Sequence, residues 1–158
     1  MQTRKRLALL SLTSAVALVA GYEGFRENAY VPVKGDVPTI GYGQTYYADG
    51  RRVKMGDRIS HQEAQKQLKL LVRKDFAGKM AECVKVPLSQ NEYDAYVSLA
   101  YNIGVNAFCK STLVKLLNQG EYIKACQQIL RWNKSGGRVL KGLENRRFRE
   151  YKLCLWGK

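Results

Sequence analysis

Two acidic residues and a threonine near the start of the chain have the side chains that acid–base catalysis requires. Glu23 is followed directly by Gly24, and Asp36 and Thr39 stand in the segment GDVPTIGYG. Hydrolysis of a glycosidic bond needs one carboxylic acid to protonate the leaving oxygen, and a second polar group to handle the water or the cation-like transition state. Apolar surroundings raise the pKa of such an acid and keep it protonated near neutrality. Solvated surface charges would have the same spacing, so spacing alone gives only a hypothesis.

The elements that would position these side chains begin with a helix and a small sheet. An apolar run leads into Glu23, and residues 28–59 are rich in Gly, Pro, Tyr and Val. Short β-prone runs in this region are broken by Gly35-Asp36 and by Asp49-Gly50, and the second step is a strong hairpin signal. Residues 23–59 are therefore predicted to form a small antiparallel β lobe.

From Ser60 onward the apolar pattern is helical. Ser60 with Glu63 and Ser89 with Glu92 are predicted capping boxes. The predicted helices run from Ser60 to about Val84, through Tyr101 to Gly104, from Ser111 to Gly120, from Glu121 to Trp132 and from Leu143 to Leu155. The sequence thus predicts an α+β fold in which residues 60–158 form a larger helical lobe. The cleft between the two lobes is the natural place for a site.

The chain is strongly basic. It has 27 Lys and Arg against 13 Asp and Glu, which gives a net charge of +14. Such a field favours polyanionic partners, namely nucleic acid, anionic lipid or an anionic wall polymer. Zinc-finger spacing, an aromatic-basic RNA signature and a long basic helix are all missing from the sequence. We therefore expect no nucleic acid among the partners.

The four cysteines contain no C-x-x-C pair, and His61 is the only histidine. Structural zinc sites favour paired short spacings, so no metal and no cofactor are predicted. The cysteines are either buried thiols of a cytosolic protein or disulfides of an exported one, and the compartment decides between the two. His61 is expected to be an exposed first-turn residue with no catalytic part.

Residues 1–22 bear on that compartment. A basic cluster at 4–6 precedes an uncharged run at 7–20. As a helix this run would be about 21 Å long, which is short for a bilayer core of about 30 Å. It is a buried core helix, a cleaved signal peptide with a small-residue site at 15–17, or an uncleaved weak membrane anchor that can leave the bilayer. The last two alternatives both deliver the rest of the chain to an oxidising compartment.

Several blocks of the sequence resemble one known family. GYEGFRENAY followed by PTIGYGQT is similar to the phage lysozyme family (glycoside hydrolase family 24 endolysins), and the likeness continues in VPLSQNEYDAYVSLAYNIG, STLVKLLNQG and ACQQILRWNKSGGRVLKGLENRRFREYKLCL. These blocks keep their order from Val19 to the end of the chain. The resemblance implies a lysozyme-like fold and hydrolysis of the β-1,4 bond between N-acetylmuramic acid and N-acetylglucosamine in peptidoglycan.

The resemblance also implies roles for the residues considered first. Glu23 matches the family's general acid, and Thr39 matches the threonine of the TIGYG block. The family places an Asp or Cys nine residues after the glutamate and six before the threonine, where this chain has Pro32 and Val33. Asp36 is the acidic residue nearest to Thr39 in this segment, so it is the candidate for positioning the attacking water or stabilising positive charge. The family further suggests inversion, for which carboxyl groups lie about 6.5–9.5 Å apart.

Other residues take supporting roles by the same resemblance. Arg146 or Arg147 is expected to pair with Glu23, as a family arginine does, although either could be a surface cation on the last helix. Candidates for contact with the sugar chain are Asn102, Gly136, Gly137 and Arg138. For these residues a helix-end cap and a simple turn are the alternatives.

The aromatic residues and the cysteines complete the expected picture. Trp132 and Trp156 are expected in the core rather than as sugar platforms, and packing is the expected role of Tyr42, Tyr46 and Tyr47. With the resemblance, Cys83 is paired with Cys109, and Cys126 with Cys154. Each disulfide would stabilise the fold by about 2–4 kcal/mol.

The favoured arrangement keeps residues 1–22 as a signal-anchor, because the family fold uses a helix just before the glutamate. A chain released from the inner membrane would then act on peptidoglycan in the periplasm of the host bacterium, as a monomer. Two rivals remain at this point. One is a non-enzymatic cationic protein that disrupts membranes, and the other is a wall-binding module without activity.

Overall fold

The helix that carries Glu23 is the first α-helix of the chain. In the computed structural model, which describes residues 2–157, α1 (Thr13–Glu23) ends where Gly24 takes a positive φ of 68°, a conformation that favours glycine. A short 3-10 turn (Leu7–Leu9) precedes α1. The apolar run at 7–20 is therefore broken and does not form the single helix expected.

The N-terminal segment packs on the helical body. Ala15 and Val19 of α1 have no exposed surface. Before α1, the backbone of Lys5 exchanges hydrogen bonds of 2.7 and 2.9 Å with that of Leu88. Among the described residues, none of the helices has both the length and the apolar character that crossing a bilayer requires.

Two strands form the small sheet that follows. β1 (Arg26–Tyr30) pairs antiparallel with β2 (Thr39–Gly41), with Arg26 opposite Gly41. The expected turn at Asp49-Gly50 is present, since Tyr46 and Arg52 form an antiparallel bridge around it. The β lobe is thus a two-stranded sheet extended by tight turns.

The first long helical stretch has an irregularity that the pattern did not show. It consists of α2 (His61–Leu71), a π-helical turn (Val72–Ala77) and α3 (Gly78–Cys83). Together these span the helix predicted from Ser60 to Val84. The capping box predicted at Ser60 forms only in part: Ser60 Oγ accepts from the amide of Glu63 at 3.1 Å, while the Glu63 side chain accepts from Gln67 instead.

The central helix is α4 (Gln90–Ile103), and its capping box of Ser89 and Glu92 is complete. Every residue from Glu92 to Ala100 is buried, so α4 is covered on all sides, as expected for a core helix. The chain continues through α5 (Val105–Cys109), α6 (Thr112–Asn118) and α7 (Tyr122–Gln128). Together with the last helix, these short helices surround α4.

The C-terminal region holds a small hairpin and the long last helix. β3 (Lys134–Ser135) pairs with β4 (Arg138–Val139), and Gly136 and Gly137 form the turn with positive φ. The helix α8 (Lys141–Trp156) begins two residues before the predicted start at Leu143 and packs along α4. Trp132 is half-buried, but Trp156 is 59% exposed, so the expected core position of Trp156 is wrong.

Two disulfides fasten the short helices, in the pairs expected. Cys83 at the end of α3 is joined to Cys109 at the end of α5, with 5.6 Å between their Cα atoms. Cys126 of α7 is joined to Cys154 of α8, with a Cα distance of 5.7 Å. Both bonds lie in the helical lobe and leave the N-terminal segment free of any disulfide.

Candidate active site

Glu23 lies where the helical body meets the β lobe. Its side chain is 20% exposed, and Oε1 accepts a hydrogen bond of 2.8 Å from Arg146 Nη1 on α8. On the other side, a Cβ placed on Gly43 would lie 3.1 Å from Glu23 Oε2. The two carboxylate oxygens therefore face different elements, Oε1 the last helix and Oε2 a glycine turn of the β lobe.

Arg146 is held from several directions. Nε donates to Glu150 Oε1 at 3.2 Å, and Nη2 donates to the carbonyl oxygen of Ser98 at 3.2 Å. The guanidinium also lies 4.7 Å from the centre of the Tyr22 ring. Of the two arginines expected to pair with Glu23, Arg146 does so. Arg147 is fully buried and contacts Glu150 instead, with 2.8 Å between Nε and Oε2.

The turn beside Glu23 is formed by Gly41, Tyr42 and Gly43. It closes through mutual backbone hydrogen bonds of Ile40 and Gln44, at 3.0 and 3.1 Å. The two glycines have φ of 62° and 82°, values at which a side chain would strain the backbone. The sequence TIGYG therefore makes a tight reversal that brings backbone, and no side chain, against the carboxylate.

Two residues outside the β lobe hold this turn in place. Tyr101 of α4 donates a 2.7 Å hydrogen bond to the carbonyl of Tyr42, and the Tyr42 hydroxyl lies 2.8 Å from His61 Nε2. Burial, with a smaller effect of the Glu23 charge, raises the pKa of Tyr101, so its hydroxyl stays protonated and can donate. Neither contact was expected from the sequence, although His61 is exposed and begins α2 as predicted.

A second link between the lobes runs through the π-helical turn. Tyr46 donates a 2.6 Å hydrogen bond to Asp75 Oδ2. Burial and this bond raise the pKa of Tyr46 to about 12. π-helical turns inside α-helices are frequent at functional sites. Here the turn carries the carboxylate that holds the β lobe to the helical body.

Thr39 and Asp36 have different surroundings. Thr39 is buried on β2, and its hydroxyl donates to the carbonyl of Val37 at 3.2 Å. Asp36 is exposed in the loop between the strands, where its amide donates to the carbonyl of Val33 at 2.9 Å. Within residues 2–157, no hydrogen bond or ion pair joins the Asp36 side chain to Glu23.

A groove of about 460 Å³ lies beside the β3–β4 hairpin. Its lining residues are Asn102, Ile103, Trp132, Lys134, Ser135, Leu140 and Leu143. Of the residues expected to contact sugar, Asn102 lines this groove, whereas Gly136, Gly137 and Arg138 form the exposed tip and second strand of the hairpin. The indole N–H of Trp132 is buried without a hydrogen-bond partner in the described part of the chain. Over the same residues, no cluster of His, Cys, Asp and Glu is suited to a metal ion.

Comparison with known proteins agrees with this arrangement. The sequence profile of the family "Phage lysozyme" matches residues 20–150. This chain belongs to the phage lysozyme family. The family and the lysozyme-like α+β fold predicted from the sequence are confirmed, and the match begins just before Glu23 at the end of α1.

Individual relatives give the extent of the likeness. The endolysin of Bacillus phage B103 is 39% identical over 145 residues, which cover 91% of this chain and 53% of that protein. The chain thus spans about half the length of that relative. The SAR-endolysin of Enterobacteria phage P21 is 34% identical over 143 residues, covering 87% of this chain and 82% of the relative. Among solved structures, an endolysin from Escherichia coli O157:H7 phage FAHEc1 superposes with a TM-score of 0.82 at 34% identity, covering 100% and 98% of the two chains.

Gly43 offers a test of the contact with Glu23. If Glu23 catalyses hydrolysis of the cell wall, we expect Gly43→Ala to lower the rate roughly 10- to 100-fold, because displacement of a catalytic group by about 1 Å has effects of this size. The matched control is Gly50→Ala, since Gly50 has a similar φ of 91° but nothing within 4 Å of a new Cβ. Rates on purified peptidoglycan and melting temperatures are measured for both variants. Equal loss of rate in the two would contradict the contact.

Proposed function

We propose that this protein is an endolysin with muramidase activity. It hydrolyses the β-1,4 bond between N-acetylmuramic acid and N-acetylglucosamine in peptidoglycan, which leads to lysis of the host cell. The observation that carries this proposal is the Glu23 carboxylate, bound by Arg146 and faced by Gly43 at the junction of the lobes. Membership of the phage lysozyme family supports it.

The hydrogen-bond pattern suggests which oxygen of Glu23 carries the catalytic proton. A guanidinium only donates, so the oxygen that it binds must accept. Arg146 binds Oε1, and the proton of neutral Glu23 therefore resides on Oε2. That oxygen faces the glycine turn of the β lobe, where a sugar chain lying between the lobes would pass. Glu23 accordingly acts as the general acid that protonates the leaving oxygen.

Asp36 and Thr39 are the residues that we propose for the second half of the reaction. The exposed carboxylate of Asp36 is free of hydrogen bonds to residues 2–157 and can accept one from water. The Thr39 hydroxyl uses its proton on Val37, so its oxygen can accept as well. Together they would position the attacking water or stabilise the positive charge of the transition state, with inversion as the expected outcome.

The groove beside the β3–β4 hairpin is the proposed path of the sugar chain in the helical lobe. Asn102 presents an amide there, and the indole N–H of Trp132 has no partner within the described residues. The backbone of Gly136 and Gly137 and the side chain of Arg138 would contact the chain at the exposed hairpin. The net charge of +14 favours approach to an anionic wall.

The activity is tested on purified sacculi, with the full-length protein. New reducing ends at muramic acid are expected, whereas dye should not leak from anionic vesicles at the same protein concentration. Leakage without new reducing ends would favour the cationic membrane disruptor. Binding to sacculi without either effect would favour a wall-binding module.

Asp36 is tested beside a carboxylate of the same lobe. We expect Asp36→Asn to lower the rate of reducing-end release by about 10²-fold or more, which is typical for loss of a group that acts on the water. The matched control is Asp49→Asn, because Asp49 is exposed and pairs only with Arg51 at the hairpin turn. Both variants should melt like the unchanged protein. An Asp36→Asn variant as active as Asp49→Asn would remove Asp36 from the mechanism.

We further propose that the protein reaches the periplasm through residues 1–22 acting as a signal-anchor, and that it acts there as a monomer. Relatives named SAR-endolysins support this route. The released segment would bind as the structure has it: Arg4 pairs with Glu92 at 2.8 Å and lies 3.5 Å from the centre of the Tyr122 ring. The membrane contact is then transient, because the same segment supplies α1.

The route is tested by the mass of the soluble periplasmic form. An uncleaved chain is expected, because cleavage after Ala17 would remove the first turn of α1 and cleavage after Ala20 would remove most of the helix. Arg4→Gln should lower the melting temperature of that form, while Arg6→Gln, at an exposed residue with no ion pair in the described structure, should not. A mature N-terminus near Leu18 or Gly21 would contradict the signal-anchor.

A further inference from the structure

The charge cluster behind Glu23 contains a carboxylate that the proposed reaction does not use. Glu150 of α8 has no exposed surface. Burying a carboxylate is costly unless charges and hydrogen bonds compensate it. A buried carboxylate one helical turn after Arg146 therefore needs a functional or structural explanation.

Hydrogen bonds converge on one oxygen of Glu150. Oε1 accepts from Ser98 Oγ at 2.6 Å, from Arg146 Nε at 3.2 Å and from Arg147 Nη2 at 3.3 Å. Oε2 lies 2.8 Å from Arg147 Nε, but the angle is not that of a hydrogen bond, so this contact is mainly one of charge. Glu150 thus binds both arginines and the serine of the central helix.

The consequence for Arg146 is a fixed orientation. A guanidinium is planar, so fixing two of its nitrogens fixes the third. Glu150 holds Nε and the Ser98 carbonyl holds Nη2, which directs Nη1 at Glu23 Oε1. Without Glu150, the Arg146 side chain would keep its hydrogen bond to the Ser98 carbonyl and its position over the Tyr22 ring. Its Nε, however, would lose the acceptor that fixes it.

Glu150 also balances the charges of the site. Two buried arginines face two carboxylates, Glu23 and Glu150. When Glu23 takes up the proton that an acid catalyst needs, Glu150 is the remaining negative charge beside the two guanidinium groups. If Glu150 were neutral, both positive charges would favour the deprotonated form of Glu23. A general acid in that form cannot donate.

We propose that Glu150 is a positioning residue for the acid: it orients Arg146 toward Oε1 of Glu23, and its charge offsets Arg146 and Arg147 so that Glu23 can hold its proton. This inference rests on the proposed muramidase function. It assigns the Glu150 side chain a task that packing alone would not require.

Groups on α1, α4 and α8 face Glu23 and Glu150, and they influence how these two carboxyl groups bind protons. Those facing Glu150 are Arg146 and Arg147 of α8, Ser98 of α4 and Tyr22 of α1. Those whose charge acts on Glu23 are Arg146, Arg147 and Tyr101. Burial raises the pKa of Glu150, while Arg147, Ser98 and Arg146 act against this rise. Burial also lowers the pKa of Arg147, and the Glu150 charge opposes that change.

The test begins with Glu150→Met in the full chain, because methionine has neither the charge of Glu150 nor an oxygen that could accept from Arg146 Nε. The alkaline limb of the pH–activity profile is expected to move to lower pH by about half a unit or more, as for the loss of a nearby compensating charge. Independently of activity, the Nε–H of Arg146, followed by ¹⁵N NMR, should exchange with solvent about tenfold faster or more, because a protecting partner is lost. If Glu150 has only a structural role, the variant will have a lower melting temperature, but its pH–activity profile and the exchange rate of the Arg146 Nε–H will be unchanged. That result would overturn the proposal.

A second variant separates orientation from charge. Glu150→Met combined with Arg147→Met restores the charge balance but not the partner of Arg146 Nε, so exchange of the Nε–H should stay fast while the alkaline limb returns toward its original pH. A limb that stays shifted in the double variant would overturn the charge argument. The double variant also covers the case in which Glu150→Met alone does not fold. If the unchanged protein releases no reducing ends, the muramidase proposal fails, and the exchange readout still decides whether Glu150 orients Arg146.

Discussion

Replacing Glu23 with glutamine is expected to remove wall hydrolysis while leaving the protein folded. Glutamine cannot donate the acidic proton, and loss of a general acid costs about 10²- to 10⁴-fold in rate. The carbonyl oxygen of glutamine can still accept from Arg146 Nη1, so the contact with α8 is retained. The rate is measured as release of reducing ends from sacculi, and folding by circular dichroism and thermal melting.

The matched control is Glu27→Gln. Glu27 lies on β1 only a few residues after the acid, is half-exposed, and pairs with Arg58 at 2.7 Å. Its replacement should leave the rate unchanged, because exposed ion pairs contribute little. A Glu23→Gln variant that clears cell walls as fast as Glu27→Gln would refute the acid role and favour a non-enzymatic activity.

Replacing Arg146 with methionine is expected to have the largest effect on stability. The variant leaves Glu23 without its arginine, and the buried carboxylate of Glu150 keeps only Arg147. Removing one partner from a buried charge cluster typically costs about 3–5 kcal/mol. The free energy of unfolding is measured by urea titration, with the two disulfides intact. Hydrolysis should fall as well, because Oε1 of Glu23 loses its donor.

Arg149→Met provides the comparison on the same helix. Arg149 is exposed, and its replacement should change the free energy of unfolding by no more than about 0.5 kcal/mol. Arg146→Lys keeps the charge but cannot donate in three fixed directions. Its free energy of unfolding should therefore lie between those of Arg146→Met and Arg149→Met. If Arg146→Met and Arg149→Met have equal free energies of unfolding, the ion pairs of Arg146 with Glu23 and Glu150 do not stabilise the fold.

Much of the fold could be predicted because its signals are local. Ser89 with Glu92 begins α4, Gly24 ends α1, and Asp49-Gly50 makes the hairpin turn. Each depends on residues that are close in sequence and have one dominant conformational preference. The likeness to a known family then supplied the disulfide pairs, which local signals lack, and the expected role of Glu23, which stays a prediction.

The misses have the opposite character. The π-helical turn at Val72–Ala77 is not visible in an apolar pattern that suits an α-helix equally well. Trp156 looks like a core residue by type, but it lies at the exposed end of α8. Arg146 and Arg147 are adjacent in sequence and chemically identical. Only the rotation of α8 against α4 decides which of them reaches Glu23, and that rotation is a property of the packed structure.

The contacts around the acid were also beyond reach of the sequence alone. Tyr101 holds the Tyr42 carbonyl across 59 residues of chain, and Ser98 reaches Glu150 across 52. Such pairs have no periodicity, and they form only when distant elements meet.

The pair formed by Glu23 and Arg146 is separated by 123 residues of sequence. The acid is thus synthesised early and its arginine near the end, on the last helix. A growing or truncated chain that lacks α8 carries the acid without the group that orients it. During synthesis, Glu23 therefore has no ion-pair partner on α8 until the last helix has been completed.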